Sequence, residues 1–184
     1  MSVQLFEPDR EGEVHALTLA ALAVILLAAA IAQVSVVTRL PLPGGHPDLV
    51  LMLLGTAALL EGPVTGAVLG FVVGLFGDLM STHVLGRSAL VCCLLGYLVG
   101  LLAEATERSV AIALLVVSGA VAGGTLANVA VAGLLSDNAA GTPGQAFLRA
   151  VVGALYAALL TPFLFPAMAA GVRRTRRTRW VRRP

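Results

Sequence analysis

Two aspartates set among apolar residues are the groups in this chain best placed to do chemistry: Asp48, in GGHPDLVLML, and Asp78, at the end of GFVVGLFGDLM. Arg39, His46, His83 and Arg87 stand near them in sequence. An ionisable group in or beside a lipid-embedded helix is costly, and it marks a proton or ion path, or a paired structural or binding role. The catalytic readings find little support. The sequence has no HExxH, GxSxG or phosphate-loop signature, and its aspartates are not clustered as a lipid-phosphate metal site requires. His15, His46 and His83 have no companion at ligand spacing, and the adjacent Cys92 and Cys93 lie in an apolar run that suits packing rather than a disulfide or a metal. Asn128 is a single amide deep in an apolar stretch, too little for a transport path. No catalytic, cofactor-binding or metal-binding residue is therefore assigned, and no cofactor is expected. Arg39, Asp48, Asp78 and Arg87 are read instead as an outer polar cluster that positions loops or meets another protein. A plainer reading places the aspartates at headgroup level, supporting helix ends. It suits Asp48, in a first turn favoured by the helix dipole, better than Asp78, which falls at a C-terminus where the dipole opposes it.

The element that must position Asp78 is a row of glycines: Gly62, Gly66, Gly70 and Gly74 precede it at a constant spacing of four. Residues four apart stack on one face of a helix, so the missing side chains form a shallow groove. In water each interior glycine would cost about 1 kcal/mol against alanine. In a bilayer such rows let a second helix approach closely. Gly96 and Gly100 form a second small pair, and Gly119, Gly123 and Ala127 a third row. The groove at 62–78 is thus a packing face, filled either by another helix of this chain or by a partner's transmembrane helix.

Hydropathy places these elements in a membrane. The 184 residues are 58% hydrophobic and only 12% charged, about half the charge of a soluble domain, and the mean hydropathy is +0.94. Six apolar spans are predicted, at about 15–37, 48–60, 63–80, 88–103, 109–135 and 145–170, with breakers at TRLPLPGGHP and Glu61-Gly62-Pro63. The second and third are short and could form a re-entrant pair, leaving four crossings. Pro162 and Pro166 predict a kink in the last span. The first run is long enough to remain as an anchor, and its acidic flank argues against a cleaved signal peptide.

Charge is strongly asymmetric: −3 over residues 1–14, −2 over 15–172 and +7 over 173–184, and every cationic residue is an arginine. Three regions follow: an acidic tail at 1–14, a membrane domain at 15–170 and an arginine-rich tail at 171–184. Either crossing count is even, so both ends lie on one side, and the positive-inside rule makes that side cytoplasmic. Arg173, Arg174, Arg176, Arg177, Arg179, Arg182 and Arg183 are read as a topology signal and an anchor to anionic lipids. With one aromatic, Trp180, and no folded domain beside it, the tail is not expected to bind nucleic acid.

The segment 47–100 resembles the rod shape-determining protein MreD family. The matching residues are Pro47-Asp48, Gly62-Pro63, Gly70-Phe71, Gly74-Leu75, Asp78, Leu85-Gly86 and Gly96-Tyr97. Size and span count fit as well, whereas the acidic start and the arginine tail have no counterpart in that pattern. The resemblance implies an all-α integral protein of the bacterial inner membrane. Its compact bundle would be similar to the substrate-binding subunits of energy-coupling-factor transporters. It implies a non-enzymatic role in cell-wall elongation and cell shape, with partners in a bitopic MreC-like protein and in the complex of a RodA-type glycosyltransferase with a class B penicillin-binding protein. The transporter likeness supplies the alternative, a vitamin-binding membrane subunit.

Overall fold

A computed structural model describes residues 10–35, 47–81, 85–106, 110–134 and 143–177. All regular structure among them is helical: α1 (Arg10–Ser35), α2 (Leu49–Glu61), α3 (Pro63–Met80), α4 (Arg87–Leu101), the single turn α5 (Ala103–Thr106), α6 (Val110–Leu134) and α7 (Pro143–Arg177). Arg39, His46, His83 and Arg179 onward lie outside the described residues.

The centre of the bundle is α2. Its sequence, LVLMLLGTAALLE, is apolar on every side, which in a helix signals burial all round. Every residue from Leu51 to Leu59 is indeed buried, and α1, α3, α4, α6 and α7 all pack against it. Its one buried hydroxyl is satisfied within the helix, Thr56 Oγ1 donating to the Met52 carbonyl at 2.8 Å. The core comprises Leu22 and Leu26 of α1, most of α2, Leu69 and Val73 of α3, and Val117 and Val121 of α6.

One residue turns α2 into α3. Gly62 has φ +90°, a conformation that L side chains rarely adopt. Its N–H closes α2 on the Ala58 carbonyl at 2.9 Å, and Pro63 then occupies the first turn of α3, where its missing N–H costs nothing.

Among the described residues, four helices contain stretches long and apolar enough to cross a bilayer: Thr18–Ser35, Pro63–Met80, Ala111–Leu134 and Gly144–Ala170. The other two of the six spans expected from hydropathy are shorter helices, α2 and α4, of 13 and 15 residues, about 20 and 22 Å long. Helix ends also depart from the hydropathy edges. α1 begins at Arg10, inside the acidic stretch, where acids in a first turn complement the helix dipole. α7 continues through Pro162 and Pro166 as far as Arg177. Thr161, beside the first proline, donates to the Ala157 carbonyl at 2.6 Å. In α6, Asn128 Nδ2 donates to the Gly124 carbonyl at 3.2 Å, and its Oδ1 is buried without a partner.

Candidate functional site

The glycine groove of α3 is filled by α4. A Cβ placed on Gly66 would collide with the Gly96 carbonyl, one on Gly70 with the Cys92 carbonyl, and one on Gly74 would lie 2.5 Å from the Ser88 carbonyl oxygen and 2.6 Å from Ala89 Cα. The reverse holds at Gly96, against the Gly66 carbonyl, and at Gly100, against Pro63. The two helices therefore run antiparallel with backbone against backbone. Each step of four along α3 meets a step of four back along α4. The complementary row is Ser88, Cys92, Gly96 and Gly100, all small and all four apart. Sequence reading found only its glycine pair. The signal for the other half was the same spacing, carried by a serine and a cysteine.

Asp78 closes the end of this seam where α3 finishes and α4 begins. It is 1% exposed, and its carboxylate reaches from the last turns of α3 to the start of α4. Oδ2 accepts the Gly86 N–H at 2.9 Å and the Ala89 N–H at 3.2 Å, while Oδ1 accepts the Ser88 N–H at 3.1 Å. Gly86 is the N-cap of α4 with φ +95° and offers no side chain to cap it. Asp78 does that work from the neighbouring helix. The dipole that opposes an acid at the end of α3 is thereby answered by the positive end of α4. Arg87, the first residue of α4, is half-buried beside these amides.

Asp48 holds a different helix end. It caps α2, its Oδ1 accepting the Leu51 N–H at 3.1 Å and Gln33 Nε2 at 3.2 Å. Gln33 in turn accepts the Val50 N–H at 3.1 Å through Oε1. Both ends of the Gln33 amide are used, so α1 is strapped to the start of α2. Sequence reading passed over Gln33 because it closes an alanine-rich run; an amide near the end of an apolar span was the available clue. Replacing Gln33 with leucine is expected to lower stability by about 1–2 kcal/mol, since transmembrane hydrogen bonds are individually modest. Thermal unfolding in detergent checks this. A Gln33→Leu, Asp48→Ala double mutant should lose less than the two single losses added together, because both remove the same strap.

The residues assigned to packing thus meet along one line, with Gly62 at the hairpin, Gly66, Gly70 and Gly74 along the seam against Gly96 and Gly100, and Asp78 at its end. The polar residues divide: Asp48 bonds to α1 and α2, Asp78 to α4, and Arg39 is outside the described residues. Behind the seam, Leu51, Leu54, Leu95, Val99 and Ala120 leave only a narrow apolar crevice between them. The architecture is a membrane bundle in which Asp48 and Asp78 are both spent on helix ends.

A family model for the rod shape-determining protein MreD matches residues 14–168. The chain belongs to the MreD family. No curated protein and no solved structure matches it. The family is one of membrane proteins with a role in determining rod shape, and is not known for an enzymatic activity. The MreD match takes in α2 to α6 entire, most of α1, and α7 as far as Met168. It therefore includes the whole seam and both aspartates, and ends before the first arginine of the tail.

Proposed function

We propose that this MreD-family protein is a non-enzymatic scaffold of the cell-wall elongation machinery in the bacterial inner membrane. In this reading it assembles with an MreC-like bitopic protein and supports the complex of a RodA-type glycosyltransferase with a class B penicillin-binding protein. The observation that carries the reading is the family match over 14–168. The site chemistry agrees with it, because Asp48 and Asp78 hold helix ends together. All six apolar helices cross in this arrangement, α2 and α4 as thin crossings, with α2 enclosed by its neighbours. Both chain ends are then cytoplasmic, as the arginine run at 173–183 favours. The vitamin-binding alternative draws no support from the apolar crevice behind the seam.

The partner's helix, on this reading, docks on an outward face, since the glycine groove is occupied from within. Phe71 on α3 and Leu94 and Tyr97 on α4 are exposed and suit photocrosslinking side chains. In a rod-shaped bacterium depleted of its own MreD, this protein is expected to restore rod shape and to crosslink from one of these positions to a single-span partner. Restored shape with no crosslink to any elongation protein from α1, α3, α4, α6 or α7 would overturn the scaffold reading, as would stable complex formation in cells that stay round.

A further inference from the structure

We propose that the basic end of α7 is a binding site for anionic phospholipid headgroups, built as a helical extension of the last membrane helix. The apolar part of α7 runs from Gly144 to Ala170, and the helix continues without a break to Arg177. Arg173, Arg174, Arg176 and Arg177 lie three to seven residues past that apolar stretch. At 1.5 Å per residue they stand about 4 to 11 Å beyond its edge. The polar layer on each side of a bilayer is about 5 to 8 Å thick, so these four backbone positions rise through it. Three more arginines follow within the chain's last residues, and 173–184 contains no acid. Guanidinium groups pair with phosphate in a bidentate way, and a cluster of this size within a Debye length of the surface has the charge to hold anionic lipids. The MreD match ends at 168, so the shared family region does not account for this element. A topology signal needs only charge on the correct side; a continuous helix also fixes the depth at which that charge sits.

The chain supplies its own probe. Trp180 is the only tryptophan and lies inside the basic run. The full-length protein would be reconstituted in phosphatidylcholine and in phosphatidylcholine–phosphatidylglycerol bilayers, the latter carrying bromine on the phosphatidylglycerol chains. Trp180 emission is expected to shift to the blue and to be quenched as the phosphatidylglycerol share rises. Salt at about 1 M, where the Debye length is about 3 Å, should reverse both changes. Changing Arg173, Arg174, Arg176 and Arg177 together to glutamine should weaken the phosphatidylglycerol preference by about tenfold or more. Inorganic phosphate in solution should not compete at concentrations that leave ionic strength unchanged. Identical emission in the two bilayers would overturn the proposal, even where the variant misinserts, because that comparison uses the native chain alone. Displacement by free phosphate, or a stronger shift with RNA added to phosphatidylcholine bilayers, would likewise overturn it and assign the charge to those ligands.

Discussion

Replacing Gly70 with alanine is expected to destroy this protein's stable fold, while the same change at Gly77, two turns along the same helix, is expected to be tolerated. The added group is one methyl in each case. At Gly70 it would occupy the position of the Cys92 carbonyl and press on the Cys93 nitrogen at 3.0 Å. Those are backbone atoms of a packed helix, so no side chain can swing aside and α3 must move away from α4. Overpacking commonly costs about 1–3 kcal/mol, and here the displacement would open the seam at Gly66 and Gly74 as well. A loss of about 3 kcal/mol or more is expected, a large part of an ordinary domain's stability. At Gly77 nothing lies within 4 Å of the new Cβ, and alanine is the better helix former by about 1 kcal/mol. Yield and the temperature at which the purified protein loses monodispersity in detergent compare the two. Equal values for Gly70→Ala and Gly77→Ala would remove the seam from the description of this molecule.

The second large effect is expected at Asp78. Alanine there leaves the N–H groups of Gly86, Ser88 and Ala89 without their acceptor, each at about 1–3 kcal/mol where no substitute partner is found. Asparagine keeps one acceptor oxygen but turns a donor toward amide donors, so its loss should fall between wild type and alanine. The damage should begin at the start of α4. Amide exchange at residues 86–89 should accelerate ahead of the rest of the bundle in Asp78→Asn. Uniform exchange rates across α4 in that variant, or an alanine variant as stable as wild type, would show that the carboxylate is not what fixes this helix end.

These two residues also show what sequence could and could not reveal. Helix type and the punctuation of the central hairpin were legible because Pro47-Asp48 and Gly62-Pro63 are strong local signals, and because α2 is apolar on every side. The glycine rows were legible as grooves, but spacing says nothing about the occupant. Gly66, Gly70 and Gly74 are filled by α4, whereas Gly119 and Gly123, at the same interval, have nothing within 4 Å of a Cβ. Asp78 could be marked as costly, and its position at a helix C-terminus made it look unsupported. Its partners are amides eight to eleven residues later, and they come within reach only because the antiparallel seam brings the start of α4 beside the end of α3. Gln33 had only a faint mark, an amide near the end of an apolar span; its role depends on where α1 lies against α2. The arginine run was plain from charge, but the helical backbone beneath its first half was not, since hydropathy ends the last span near 170 while α7 continues to Arg177.

The enclosure of α2 constrains how the molecule is made. The ribosome delivers this segment before most of the helices that surround it, and no lipid contact remains to hold Leu51–Leu59 once they arrive. Its resting place is therefore a cavity that exists only in the completed chain. The N-terminal half of the protein is a waiting structure, and the late helices α6 and α7 complete the interior as well as the periphery.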